Sequence, residues 1–179
     1  MTMSQPASPM NVELINPFIT AVFDTMETMV GMTPTREAPY VKDHALPQGD
    51  VTGIIGFAEK DVIGSVALSF PIETILKIYN LMMGESESRI TREVQDLAGE
   101  LTNIVAGGAK KQFSQSGVSF HISIPTIVVG RNHTIHHQLN TSVLVIPFHL
   151  EKHPFILEVS MKLGRRLAES RAKAAQQPG

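Results

Sequence analysis

Residues 90–116 carry apolar side chains at helical spacing over about seven turns, and this long periodic segment constrains the fold more than any other feature. At about 100° per residue, the inward-facing positions fall in one arc about 100° wide. These positions, which are predicted to face the core, are Ile90, Val94, Leu97, Leu101, Ile104, Val105 and Gly108.

Strand patterns lie on both sides of this helix. Two β-branched runs between residues 51 and 70 are separated by the polar stretch AEKD, which indicates a hairpin. Three more strand-like runs follow the helix, at 118–130, 142–150 and 155–163. Because short turns join these runs, we expect antiparallel pairing.

Two shorter helices complete the pattern. The first is predicted to begin with Asn16 as its N-cap and to end at Gly31, and the second runs from Pro71 to Gly84. The order helix, strands, helix, long helix, strands predicts an α+β fold with helices covering an antiparallel sheet. Since a helix-plus-strands unit occurs twice, we expect a pseudo-two-fold repeat.

Composition limits the classes of function. A chain of 179 residues, 42% of them hydrophobic, predicts one folded domain, at 11–163, with an N-terminal tail at 1–10 and a basic C-terminal tail at 164–179. The net charge of −2 argues against nucleic acid and membrane partners, and no apolar run approaches the roughly 20 residues of a membrane span. We therefore expect a cytoplasmic protein. The absence of cysteine excludes thiol catalysis and Cys-ligated zinc.

A histidine cluster, His133, His136 and His137, raises the question of a metal site. In a strand or turn, His133 and His137 share one side while His136 faces the other, and no carboxylate lies nearby in the sequence. We interpret the cluster as an exposed loop and predict no metal site.

The outward side of the long helix is unusual for its glycines. Gly99 and Gly107 flank Glu100 and Asn103, which are neighbours one turn apart, although each interior glycine costs about 1 kcal/mol relative to alanine. Small residues there would let another protein approach the helix backbone closely. Gly108, on the inward side, is better explained by tight packing. The outward arc also contains Arg92, Asp96, Lys110, Lys111 and Ser114.

The spacing of Glu100 and Asn103 is by itself a weak signal. Glu13 and Asn16 have the same spacing, although there the predicted N-cap role would occupy the Asn16 amide. A solvated polar face with no role remains open at this point.

The sequence GELTNIVAGGAKK at 99–111 resembles the helix motif of the CheC/CheX/FliY family of chemotaxis response-regulator phosphatases, and most closely its one-motif CheX branch. The resemblance also covers the segments INPFITAV, IIGFAEKDVIGSVALSF, ILKIYNLMMGE and IPTIVVGRN, in matching order, and extends over about residues 11 to 163.

This resemblance implies a hydrolase that removes phosphate from the aspartate of a phosphorylated CheY-like response regulator. Asn103 would orient the attacking water and Glu100 would form a salt bridge with the regulator's lysine, while the Mg²⁺ would belong to the regulator. From their place on the outward side of the helix, and not from the resemblance, we also predict that Asp96, Gly99, Gly107 and Lys110 contact the partner. The CheX branch also implies a homodimer formed through the sheet. A second site at Glu13 and Asn16 would require both residues to lie within the first helix.

Two alternatives remain open from the sequence. The chain is a non-catalytic module that binds a regulator or joins a flagellar-switch-like assembly, or it is a structural dimer unrelated to phosphorylation. A pure binding module would not need the Asn103 amide, and a structural dimer would leave the outward glycines unexplained. The sequence does not identify the regulator.

Overall fold

The computed structural model of the chain describes residues 14–43, 47, 49–165, 167–169 and 173. Its helices are α1 (Asn16–Thr25), α2 (Ile72–Met83) and α3 (Arg92–Gln115). A π-helical turn, Met26–Val30, continues α1 as far as Gly31, which has a left-handed backbone with φ of 74°. Pro71 and Gly84 bound α2 as predicted, because Pro71 cannot extend the helix backwards and Gly84 adopts a φ of 66°.

The described residues form one eight-stranded antiparallel sheet. Its central order is β7-β8-β4-β3, with β1 and β2 on the outer side of β7, and β5 and β6 on the outer side of β3. The strands are β1 (Thr35–Arg36), β2 (Tyr40–Val41), β3 (Gly49–Glu59), β4 (Val62–Phe70), β5 (His121–Ile122), β6 (Thr126–His133), β7 (Val143–Leu150) and β8 (His153–Leu163).

The predicted α+β fold is confirmed, and the sheet shows the expected pseudo-two-fold arrangement. The hairpins β3–β4 and β7–β8 meet where β4 pairs antiparallel with β8, so each half contributes one inner and one outer strand. Helices α1 and α3 pack on each other, with α3 lying mainly on β3, and a Cβ on Gly108 would lie 3.0 Å from the Ala21 Cβ. Tight packing therefore explains Gly108, as predicted.

Alternating strand residues build the core between the sheet and the helices. On β4, for example, Val62, Val66, Leu68 and Phe70 are buried in this core. Two aromatic groups extend it, and in one of them Phe155 lies between Phe70 and Phe148 at centroid distances of 5.6 and 5.2 Å.

Asn16 does not cap α1, and that prediction is wrong. The N-cap is Ile15, whose carbonyl accepts from the N–H groups of Phe18 and Ile19, both at 3.0 Å. Asn16 is therefore the first helical residue, and its side chain is exposed. The helix begins one residue earlier than predicted because Pro17 fits the second position as well as the first. Glu13 lies outside the described residues.

The second face of the sheet, away from the helices, is crossed by residues 134–142, which we call the strap. His137 Nδ1 lies 2.7 Å from Ser65 Oγ, and His137 Nε2 lies 3.1 Å from Glu158 Oε2. Lys42 Nζ donates to both Glu158 oxygens, at 3.0 and 2.9 Å, and to the Ile135 carbonyl at 2.8 Å. A fully buried carboxylate on β8 thus holds the strap against the sheet.

The exposed-loop interpretation of the histidines is wrong for two of the three. The His137 side chain is buried, and His133 Nε2 lies 2.6 Å from Thr52 Oγ1 on β3. His136 is exposed, as predicted. The partners come from strands far away in the sequence, which local spacing could not reveal. Among the described residues, no group of three or more His, Cys, Asp or Glu side chains has a metal-binding arrangement.

The predicted tails mostly fall outside the described residues, so the domain boundaries stay predictions. One described residue of the C-terminal segment, Leu167, packs against the core. Within the described part of the chain, no helix is both long and apolar enough to cross a bilayer.

Candidate functional site

Helix α3 begins at a side-chain cap. Thr91 is extended, and its Oγ accepts from the N–H of Val94 at 3.4 Å. In the same turn, hydrogen bonds from its own backbone N–H and from Thr91 hold the pKa of the exposed Glu93 carboxyl below its usual value. A carboxylate here also interacts favourably with the helix dipole. The start of α3 is thus fixed by local contacts.

The buried side of α3 is wider than the sequence predicted. Val94, Leu97, Leu101 and Val105 are buried as expected, whereas Ile104 is only half-buried. Small residues extend the buried side further around the helix. They are Ala98, Gly99, Thr102, Ala106 and Ala109.

Small residues line this side because α3 lies very close to the sheet. A Cβ on Gly53 of β3 would collide with the Thr102 side chain and would lie 2.8 Å from the Ala98 carbonyl. Thr102 satisfies its hydroxyl within the helix by donating to that same carbonyl at 2.7 Å. The hydroxyl therefore needs no partner in the sheet.

Gly99 does not face outward, and that placement is wrong. It is buried, and a Cβ there would lie 3.0 Å from Ile127 Cδ1 and 3.7 Å from Pro125 Cβ. The missing side chain makes room for the segment that leads into β6, not for another protein. Gly99 is therefore unavailable for direct contact with a partner.

Glu100 and Asn103 lie on the side of α3 away from the sheet. Glu100 is exposed and Asn103 is half-buried. No hydrogen bond or ion pair within the described residues engages either side chain. A carboxylate and a carboxamide are thus adjacent on one helix face with their polar atoms free for an external partner.

The remaining candidate residues surround this pair. At Gly107, a Cβ would meet nothing within 4 Å, so the helix backbone is open to close approach. Lys110 is half-buried. Asp96 is exposed and lies 3.9 Å from Arg92, in an ion pair on the helix surface. Such an exposed pair contributes only about 0.3–0.5 kcal/mol, so a partner can displace it easily.

The sequence pattern did not reveal the segment that supports this face or the buried cluster beneath the strap. Pro125 and Ile127 resembled ordinary strand residues, and nothing local linked them to α3. A signal for the cluster was present in Glu158, a lone carboxylate within the apolar strand FILEVSMKL. A buried carboxylate requires a cation or hydrogen-bond donors from elsewhere in the chain.

Known proteins that are similar to this chain identify its family. The family model described as "Chemotaxis phosphatase CheX" matches residues 51–149. The CheY-P phosphatase CheX of Thermotoga maritima is 32% identical over 127 residues, covering 69% of this chain and 79% of that protein. This chain belongs to the CheX family of chemotaxis phosphatases.

Solved structures agree with this assignment to the CheX family. A CheC-like superfamily protein from Shewanella sp. PV-4 has a TM-score of 0.81 and 38% identity, covering 86% of this chain and 99% of that one. A CheX–CheY–BeF₃–Mg²⁺ complex from Borrelia burgdorferi contains a chain with a TM-score of 0.68 and 25% identity, covering 87% of this chain and 100% of that chain. The resemblance noted in the sequence is therefore confirmed at the level of family and fold.

Proposed function

We propose that this CheX-family chain hydrolyses the aspartyl phosphate of a CheY-like response regulator, with Asn103 orienting the attacking water and Glu100 docking to the regulator's lysine. The observation that carries the proposal is the adjacent, unengaged pair of Glu100 and Asn103 on the outward side of α3. Membership of a phosphatase family, with a relative named as a CheY-P phosphatase, supports it. Such a role would place the chain in the cytoplasm with its regulator.

The chemistry suits a carboxamide. In the proposed step, the water oxygen bonds to phosphorus as the bond between phosphorus and the aspartate oxygen breaks, giving aspartate carboxylate and inorganic phosphate. One water proton stays on the transferred oxygen, and another phosphate oxygen or the solvent takes up the second. An acyl phosphate is already reactive, so the main requirement is a water held in line with the breaking bond. Asn103 offers a donor and an acceptor with no accessible pKa, so it can orient this water without deprotonating it.

Glu100 suits a docking role because its carboxylate is exposed and unpaired within the described residues. A lysine ammonium of the regulator would form a charge-assisted hydrogen bond with it, fixing the register of α3 on the partner. The Mg²⁺ would come with the regulator, as a complex of CheX with CheY, BeF₃ and Mg²⁺ suggests. Asp96, Gly107 and Lys110 would form the rim of the contact.

A homodimer through the sheet is part of the proposal. The outer side of β6 pairs with no strand of the described residues, whereas β1 and β2 cover the opposite edge. Val129 on β6 is 47% exposed. An open strand of this length is suited to pairing with a second copy.

Light scattering tests the dimer. Val129→Asp is expected to weaken it, whereas Ile63→Asp, at a strand position that is 45% exposed but away from this edge, is expected to leave it intact. A monomeric wild type, or equal effects of the two substitutions, would refute dimerisation through β6.

The test of the catalytic proposal is the decay of radiolabelled phosphate on a CheY-like regulator with Mg²⁺ present. Wild type should accelerate decay, and Asn103→Ala should lose about tenfold to a few hundredfold of that acceleration while still binding the regulator. Glu100→Ala should weaken binding. Asn140→Ala, which removes an exposed amide from the strap, is the matched control and should change neither.

Two outcomes would overturn this reading. If wild type binds the regulator without accelerating decay, the chain is a non-catalytic binding module. If Asn16→Ala reduces the rate as much as Asn103→Ala, a second site on α1 contributes and the one-site proposal fails.

A further inference from the structure

Gly99 lies directly before Glu100 and one turn before Asn103. It faces β6, since an added Cβ would lie 3.0 Å from Ile127 Cδ1 and 3.2 Å from Ile127 Cγ1. Ordinary van der Waals separation is 3.4–4 Å, so even one methyl group would force a shift of a few tenths of an ångström. The Ile127 side chain therefore occupies the space that a larger residue at position 99 would need.

The same turn of α3 also rests on the neighbouring strand. Ile127 pairs with Gly53 in the β3–β6 register, and Gly53 lies beneath Ala98 and Thr102. Two paired sheet residues thus support this turn of α3. Gly53 lies beneath the turn, and Ile127 lies at its side. This double support restricts both the height of the turn above the sheet and its rotation about the helix axis.

We propose that Gly99 and Ile127 are positioning residues that set the orientation of Glu100 and Asn103 toward the regulator. The inference rests on the proposed function and extends it to residues that do not touch the partner. Holding a water in line with a breaking bond is sensitive to small displacements, since a shift of about 1 Å can cost about a hundredfold in rate. Binding, which depends on a broader surface, tolerates the same shift better.

Gly108 provides a matched control on the same helix. A Cβ there would also lie 3.0 Å from its nearest neighbour, the Ala21 Cβ, but it lies more than one turn beyond Asn103 and contacts α1, not β6. Gly99→Ala and Gly108→Ala therefore add the same methyl group, each 3.0 Å from its nearest neighbouring atom. Only Gly99→Ala is expected to displace Glu100 and Asn103.

The experiment measures the maximal dephosphorylation rate and the half-saturating concentration for each variant. Gly99→Ala should lower the maximal rate about tenfold with little change in half-saturation, and Gly108→Ala should stay within about twofold of wild type. Ile127→Val removes the Cδ1 atom nearest the new methyl. The double variant Gly99→Ala/Ile127→Val should therefore recover part of the rate, which a merely structural defect would not do.

A second measurement keeps the inference separate from the proposed activity. Backbone and Asn103 side-chain amide chemical shifts should change for residues 100–103 in Gly99→Ala, return toward wild type in the double variant and change little in Gly108→Ala. If wild type lacks phosphatase activity, the proposed function fails while these shifts still test the positioning.

Ile127→Ala provides a test should Gly99→Ala fail to fold. Removing the contact should lower the maximal rate several-fold, and should move the same amide shifts, while Ile63→Ala, at an exposed position of β4 away from α3 and the β6 edge, should do neither. Full activity of Gly99→Ala or Ile127→Ala, absence of recovery in the double variant, or an equal loss in Gly108→Ala would overturn the inference.

Discussion

The substitution Lys42→Met tests how the second face of the sheet is held together. Lys42 Nζ donates three hydrogen bonds, two to Glu158 and one to the Ile135 carbonyl, at 2.8 to 3.0 Å. The Lys42 side chain is 9% exposed and the Glu158 side chain is 0% exposed. Methionine keeps the length and apolar stem of lysine, so the change mainly removes the charge and its hydrogen bonds.

The expected loss of unfolding free energy is large. Breaking a buried ion pair by removing one partner costs about 3–5 kcal/mol, because the other charge remains buried without compensation. Domains of this kind have about 5–15 kcal/mol in total. At about 2–4 °C per kcal/mol, the melting temperature should fall by about 6–20 °C. His137, whose Nε2 lies 3.1 Å from Glu158 Oε2, remains when Lys42 is replaced. We therefore expect both the loss of free energy and the fall in melting temperature to lie toward the lower ends of their ranges.

Urea denaturation followed by circular dichroism measures the loss. Lys162→Met is the matched control, since Lys162 is exposed on the same strand as Glu158, and its removal should change stability by less than about 0.5 kcal/mol. Lys42→Met/Glu158→Gln should be more stable than Lys42→Met alone, because the orphaned charge is gone. A loss below about 1 kcal/mol in Lys42→Met, or one equal to that of Lys162→Met, would refute the reasoning.

Two further predictions concern the first turn of α3. Thr91→Ala removes the N-cap and should cost about 1 kcal/mol in urea denaturation, whereas Thr91→Ser should retain most of the stability. Because the pKa of Glu93 is lowered in the folded state, its carboxylate stabilises the fold above the ordinary carboxyl pKa of 4.5, and this contribution is lost as pH falls through the folded value. Glu93→Gln should therefore reduce stability at neutral pH and flatten the acid side of the stability profile. An unchanged profile would contradict this assignment.

Local patterns predicted most of the fold because they report on short-range physics. Pro71 and Gly84 bound α2 through backbone geometry alone, and the polar stretch at 58–61 marked the hairpin turn between β3 and β4. Asn16 was the exception among the helix ends, because Pro17 is acceptable at more than one position of the first turn.

The error at Gly99 shows where such patterns stop. Large apolar residues placed the buried arc of α3 between about 40° and 140° from Glu100, but the buried side extends to about 260°. The added part consists mainly of alanine, glycine and threonine, whose small size permits close contact with β3 and β6. Hydrophobic periodicity does not register such residues, and only the position of the sheet identifies them as buried.

The sequence by itself determined the order of the elements, most of their ends, the family, and the presence of Glu100 and Asn103 on one side of a long helix. These features depend on backbone preferences and on spacing within single segments. Only the tertiary structure decided that Gly99 faces Ile127 and that His137 and Lys42 meet Glu158. Those contacts join residues far apart in the chain, and only the packing of separate elements against the sheet brings them together.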